Sequence, residues 1–253
     1  MPIRTSIARA ALGALCAAAT ARGEGLQASL SYWEMRPEGT ASVGSDGLAG
    51  TIFDIEDDLG YGSSETLVGI EGRVGGTHAL VASYLSLSTD ARSRISRQIQ
   101  FGDITYAASA NVSSSLDADL LRLAYRYEAS TTEVRLGVLA GAQLVSFDAA
   151  LSASGFGTAS EQADTGLPVI GIELLFEPLP FIRLETAITG GAWDWDSTSA
   201  AFWDGHAQAA LLVYPFFIGV GYRYISLDAD ENSIPLEIDL TFRGPQVVAG
   251  VSF

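Results

Sequence analysis

The sequence predicts an all-β protein: a closed, antiparallel, up-and-down transmembrane β-barrel of about ten strands, with eight as the alternative. Three observations predict it. Segments of roughly ten residues recur with an apolar residue at every second place, the period of a strand. The turns between them alternate between very short and long. An export signal stands at one end of the chain, and a terminal Phe closes an alternating strand at the other.

Residues 1–21 read as a cleaved signal peptide. Arg4 and Arg9 form the positive n-region, residues 10–19 the apolar h-region, and Ala19-Thr20-Ala21 the small-x-small cleavage pattern. A buried N-terminal helix is the alternative, and the segment falls short of the ~20 apolar residues of a membrane helix. Residues 22–253 then form a single barrel domain. The only cysteine, Cys16, lies within the signal after Leu15, a poor residue for a lipoprotein site. The exported chain is therefore expected to use neither disulfides nor thiol chemistry.

All 14 basic residues are Arg, against 30 acidic ones. Loss of Arg4 and Arg9 leaves 12 against 30, a net charge of -18. Such a balance argues against nucleic acid or an anionic surface as the main partner.

Leu26 to Tyr32 opens the series of strands. Val68, Ile70, Gly72 and Val74 then alternate with Gly69, Glu71 and Arg73, ahead of the hairpin dipeptide Gly75-Gly76. A third strand runs from about His78 to Leu87. The fourth sets Leu121, Leu123, Tyr125 and Tyr127 against Arg122, Ala124 and Arg126. The fifth sets Val134, Leu136, Val138 and Ala140 against Arg135 and Gly137, and the sixth Ile170, Ile172, Leu174 and Phe176 against Gly171 and Glu173. After Glu177-Pro178-Leu179-Pro180, Ile182, Leu184 and Ile188 alternate with Arg183 and Glu185. Ala207, Ala209, Leu211 and Val213 form the eighth, and Ile218, Val220, Tyr222 and Tyr224 the ninth, opposite Arg223. The last begins near Leu236, is interrupted at Gly244-Pro245, and ends in Val247, Ala249, Val251 and Phe253.

Short turns near 75–76, 128–132, 177–180 and 214–215 contrast with long polar connections near 37–63, 88–115, 149–165, 192–204 and 229–235. This asymmetry is usual in outer-membrane barrels. It predicts both termini on the short-turn, periplasmic side and long extracellular loops. Periodicity alone does not separate a membrane barrel from an exported soluble β-sandwich or lipocalin-like barrel. Aromatic residues near strand ends (Tyr125, Tyr127, Phe176, Phe181, Tyr214, Phe216, Phe217, Tyr222, Tyr224) and Arg, Glu and Gly on the opposite faces favour the membrane form.

The stretches Asp54 to Gly60, Ile99 to Asp103, Leu123 to Tyr127, Gly221 to Tyr224 and Gly244-Pro245 before Phe253 resemble a loosely defined group of small proteobacterial outer-membrane β-barrel proteins. OmpA-like and OmpW-like barrels are more distantly similar. The resemblance implies the Gram-negative outer membrane and no defined activity.

Glu71, Arg73, Arg122, Arg126, Arg135, Glu173, Arg183, Glu185, Arg223, Glu237 and Arg243 fall on the presumed inner face, seven Arg against four Glu. They suit either an anion-preferring, porin-like narrow channel for small solutes or a plugged lumen whose charges cancel. The second alternative makes the protein a structural or surface-interaction barrel without transport. Phe253 is the expected C-terminal insertion signal.

The acidic stretch Asp54 to Asp58 lacks the spacing of a calcium loop and reads as a solvated loop, as do Asp228, Asp230 and Glu231. Trp193, Trp195 and Trp203, interleaved with Asp194, Asp196 and Asp204, suit a ligand rim or, more simply, an outer aromatic belt. His78 and His206, the two histidines, form no triad pattern, so no enzyme activity is expected. No metal or cofactor motif is present. The partners expected are outer-membrane lipid, lipopolysaccharide and the barrel assembly machinery, with the barrel itself a monomer.

Overall fold

A computed structural model describes residues 25–44, 50–61, 65–131, 133–195, 198–231 and 236–253. The signal peptide expected at 1–21 lies outside them. The strands are β1 (Leu26–Val43), β2 (Phe53–Asp54), β3 (Glu65–Gly75), β4 (His78–Arg94), β5 (Ile99–Phe101), β6 (Ile104–Tyr106) and β7 (Asn111–Ser130). They continue with β8 (Val134–Ala153), β9 (Gly157–Leu179), β10 (Ile182–Trp195), β11 (Thr198–Val213), β12 (Phe216–Glu231) and β13 (Leu236–Ser252).

Ten of these form the wall: β1, β3, β4 and β7 to β13, each antiparallel to its neighbours. The sheet closes on itself through β13 and β1, from Gln27↔Ser252 to Val43↔Leu236. Near the short turns this closure leaves no sheet edge, which a bilayer requires because lipid satisfies no backbone polar group. The predicted barrel and its ten strands are what the structure contains. β2, β5 and β6 belong to two connections that fold back into the mouth.

Several strands are much longer than the ~9–11 residues needed to cross a bilayer. β7 and β8 have 20 residues each and β9 has 23. Among the described residues, the long connections expected at 149–165 and 192–204 are therefore mostly strand, and that expected at 229–235 is strand as far as Glu231. Among the described residues, 50–61 and 95–110 form the extended connections.

The reason is an exchange of faces partway up the wall. Near the short turns, β12 points Phe216, Ile218, Val220, Tyr222 and Tyr224 outward, and Gly219, Gly221 and Arg223 inward. Above Tyr224 the outward residues become Ser226, Asp228 and Asp230, while Ile225 and Leu227 are buried inside. β7 does the same: Leu123, Tyr125 and Tyr127 face outward below. Above, Ser113, Ser115 and Asp117 face outward, with Val112, Leu116, Ala118 and Leu120 within. The strand period stays two throughout. The lower zone thus suits lipid outside, whereas the upper zone is built like a soluble barrel, with water outside and an apolar core within.

The outward apolar band carries aromatic residues at both rims. Tyr127, Phe181, Tyr214, Phe216 and Phe253 stand at the short-turn rim, and Tyr32, Trp203 and Tyr224 at the other, all substantially exposed. Phe217, placed by its sequence among the girdle aromatics, is instead buried in the lumen, where the Arg183 guanidinium lies over its ring.

Candidate functional site

Two zones of the interior carry chemistry. The lower zone is an ion-pair network that crosses the lumen. Arg73 on β3 reaches Glu173 on β9 at 2.8 Å, and Arg122 on β7 reaches Asp204 on β11 at 3.2 Å. Each pair joins strands four places apart around a ten-strand ring, so each spans the barrel.

The remaining contacts link these two beams. Arg126 donates to Glu173 at 2.9 Å and is paired with Glu128. Glu71 accepts from Arg122 at 3.4 Å and lies 3.8 Å from Arg73. Arg223 donates through Nε and Nη2 to the two oxygens of Asp204, at 2.9 and 2.7 Å, a bidentate pair. Below them, Glu177 accepts from Arg135 at 2.8 Å and from Arg183 at 2.9 Å. His206 lies 3.6 Å from Glu185.

Small residues make room for this layer. At Gly137 a Cβ would sit 2.7 Å from the Nε of Arg126, so only glycine lets that guanidinium lie against the wall. The Arg223 guanidinium in turn lies over the Trp33 ring, whose indole donates to the Gly244 carbonyl. Beneath the beams a polar cleft of about 40 Å³ remains, enough for little more than one or two waters.

Nine of the charged residues expected in the lumen lie there: Glu71, Arg73, Arg122, Arg126, Arg135, Glu173, Arg183, Glu185 and Arg223. Glu237 and Arg243 do not; both are exposed on the outer face, and Arg243 pairs with Glu38 at 2.8 Å. The expected interruption at Gly244-Pro245 is absent on the β12 side, where pairing runs unbroken from Phe216↔Val251 to Glu231↔Leu236. The alternation therefore carries through, and residues 237 and 243 share the outward face of Val247 and Phe253.

Asp204, read from sequence as a solvated loop carboxylate, is buried at the centre of the network. Glu128 and Glu177 were also missed, because they sit among presumed turn residues. With them, the described network holds six guanidiniums (Arg73, Arg122, Arg126, Arg135, Arg183, Arg223) and six carboxylates (Glu71, Glu128, Glu173, Glu177, Glu185, Asp204). The excess of positive charge inferred from sequence disappears.

The upper zone is an apolar chamber of about 600 Å³. Leu116, Phe147, Leu151, Trp193, Ala200, Leu227 and Leu240 of the wall line it, together with Phe53, Ile55, Leu59, Tyr61 and Phe101 of the two folded-in connections. These connections are tied in place. Tyr106 donates to the Leu151 carbonyl at 2.6 Å and accepts from the Ala159 N–H, while β5 pairs with β1 at Val43↔Phe101. Tyr61 is almost fully buried, and burial pushes its phenol up to about 12.

The acidic stretch turns on itself. Asp54 accepts from the N–H groups of Glu56 and Asp57, and Asp58 accepts from the Asp54 N–H and from Arg97. The carboxylates of Asp54 and Asp58 are committed to the fold of this connection, while the Glu56 and Asp57 side chains are exposed. Trp203 covers the outside of Gly190, where an added Cβ would meet its ring at 2.4 Å, while Trp193 lines the chamber. His78 sits at the short-turn rim against Tyr125, far along the barrel from the chamber. Phe253 donates its N–H to the Leu26 carbonyl at 2.8 Å, closing the seam between the ends of the chain.

No protein-family model matches the chain, and no curated protein matches it in sequence. Among solved structures it is similar to the outer membrane protease OmpT from Escherichia coli, at a TM-score of 0.57 and 10% identity, over 92% of this chain and 98% of that one. The attachment invasion locus protein Ail of Yersinia pestis matches at 0.38 and 12%, over 91% and 99%. The Pseudomonas putida toluene transporter TodX matches at 0.34 and 8%, over 90% and 89%. The likeness to OmpT is one of fold; at 10% identity it carries no catalytic residue across. The chain thus has the fold of an outer-membrane β-barrel, with an apolar belt outside and charges within.

Proposed function

We propose that the protein is a closed-lumen outer-membrane barrel that presents its projecting outer half at the cell surface, and not an open channel. The observation that carries this reading is the pair of ion-pair beams, Arg73–Glu173 and Arg122–Asp204, which cross the lumen with buried partners at both ends. A ten-strand barrel is only slightly wider than the eight-strand size that side chains fill. With six positive and six negative groups balanced inside the lumen, the network favours a plug over an anion-selective ring. The narrow solute channel is therefore the less favoured reading.

In this reading both termini are periplasmic, the polar upper wall is extracellular, and the belt contacts outer-membrane lipid and lipopolysaccharide. The barrel is a monomer inserted by the assembly machinery, with Phe253 as its signal. We also read it as lacking catalysis. His206 is engaged with Glu185 inside the plug, and His78 faces outward at the opposite rim from the chamber.

Planar-bilayer recording of the purified protein tests the reading. The expected result is a silent membrane at high protein occupancy, with steps appearing only when Arg122, Asp204 and Arg223 are all replaced by Ala. Steady ion-selective steps from the unaltered protein would overturn it and restore the channel.

A further inference from the structure

The apolar chamber has a gap in its wall. Pairing between β9 and β10 runs from Ile182↔Leu179 up to Gly190↔Ile170 and stops there. Above that point β9 continues to Gly157 paired with β8, and β10 continues to Trp195 paired with β11. The two strands thus keep their other neighbours and lose each other.

Pro168 supplies the cause. Its carbonyl points at β10, since a Cβ on Gly191 would lie 1.9 Å from that oxygen. In a strand the N–H and C=O of one residue face the same neighbour, so the donor that proline lacks is missing from the β10 side. A second place among the described residues where wall strands part, between β1 and β4 above β3, is covered by the first connection. There β2 pairs with β1, and Gly60 packs against Arg92.

The gap meets the chamber on one side and the membrane rim on the other. Residues Glu161 to Gly166 of β9 and Trp193 of β10 line the chamber at the gap. Its lower lip, Gly190, pairs with the outward Trp203 of the aromatic girdle, and Gly166 pairs with the outward, exposed Leu144. The gap therefore joins the rim of the lipid-facing belt to an apolar chamber of the size that takes one small ligand. The charged groups at its lip are carboxylates, Glu161 and Asp164, beside the uncharged Gln162 and Thr165. They disfavour an anionic head group and favour a cationic one.

We propose that the β9–β10 gap is a side port through which the hydrocarbon tail of a cationic or uncharged amphiphile passes from the membrane rim into the apolar chamber. This inference does not require the lumen below to be closed, so a conducting barrel would leave it standing.

The test uses the barrel, without its signal segment, in neutral-lipid vesicles, with a tail-brominated alkyltrimethylammonium as quencher of Trp193 fluorescence. Trp193→Phe supplies the background from the other tryptophans. Quenching specific to Trp193 is expected to saturate, and to need at least tenfold more of an alkyl sulfate with the same brominated tail. Ala200→Phe, which fills the chamber, should weaken it at least tenfold. Quenching that never saturates, or that is unchanged in Ala200→Phe, would mean that the tail sits only in the bilayer and would overturn the proposal.

The port has a separate readout. Gly166→Cys gives a folded barrel with one thiol, which is modified with a bulky maleimide only after folding. Modification should slow the onset of Trp193 quenching at least tenfold relative to the same protein left unmodified. The same label at Ser113→Cys, on the outer face of β7, should leave the rate unchanged. Equal rates with and without the label at residue 166 would exclude the gap as the route.

Discussion

Replacing Arg126 with Ala tests the plug most directly. Its side chain is 1% exposed and lies between Glu173 and Glu128, over Gly137. Removing one member of a buried ion pair typically costs ~3–5 kcal/mol, because the partner is left charged and without its counter-ion. Glu173 keeps Arg73 at 2.8 Å, so the cost falls at the lower end, about 3 kcal/mol. That corresponds to roughly a hundredfold fall in the ratio of folded to unfolded protein.

The assay is urea unfolding in lipid vesicles, followed by tryptophan fluorescence and by the shift between unheated and boiled samples on a gel. Arg243→Ala is the internal control. Its pair with Glu38 stands half in solvent on the outer face, where ion pairs contribute little, and its midpoint should match that of the unaltered barrel. A double-mutant cycle of Arg126→Ala with Glu173→Gln isolates the pair and should give a coupling on the order of 1–3 kcal/mol. If Arg126→Ala shifts the midpoint no more than Arg243→Ala does, the beams are not structural and the plug argument fails.

Gly137→Ala should also destabilise, by about 1–3 kcal/mol as an overpacked site, because the added Cβ meets Arg126 at 2.7 Å where two carboxylates hold it; equilibrium unfolding measures it. Val220→Arg, in the lipid-facing belt, should cost roughly 2–4 kcal/mol. Ser115→Arg, on the outward face above the exchange, should be close to neutral in the same assay. Equal costs at the two sites would show that the belt does not end where the faces exchange. Pro168→Ala restores a donor on the β10 side of β9, and should give a protected amide at residue 168 in hydrogen exchange while slowing Trp193 quenching.

The alternation of apolar residues, read along the chain, determined the barrel, its ten strands and most of the lumenal charges. Such period-two patterns are local, and Arg122 and Arg126 alternate with Leu121, Leu123 and Tyr125 whatever lies across the barrel. The upper strands were hidden for a related reason. Their outward residues, such as Ser113, Ser115 and Asp117 on β7 or Asp228 and Asp230 on β12, resemble loop composition. Their period is intact, but the apolar set has moved to the other face.

Two further things were set by tertiary structure alone. Charge balance in the lumen depends on which carboxylates reach across it, so Asp204 and Glu128 joined the network and Glu237 and Arg243 left it once unbroken pairing fixed the register of β13. The chamber and its side port exist only because residues 50–61 and 95–110 fold back into the mouth and Pro168 ends the β9–β10 ladder. Sequence decides which residues a strand can bury. Closure of the sheet decides what they meet, because cross-barrel partners are neighbours only when the ring is complete.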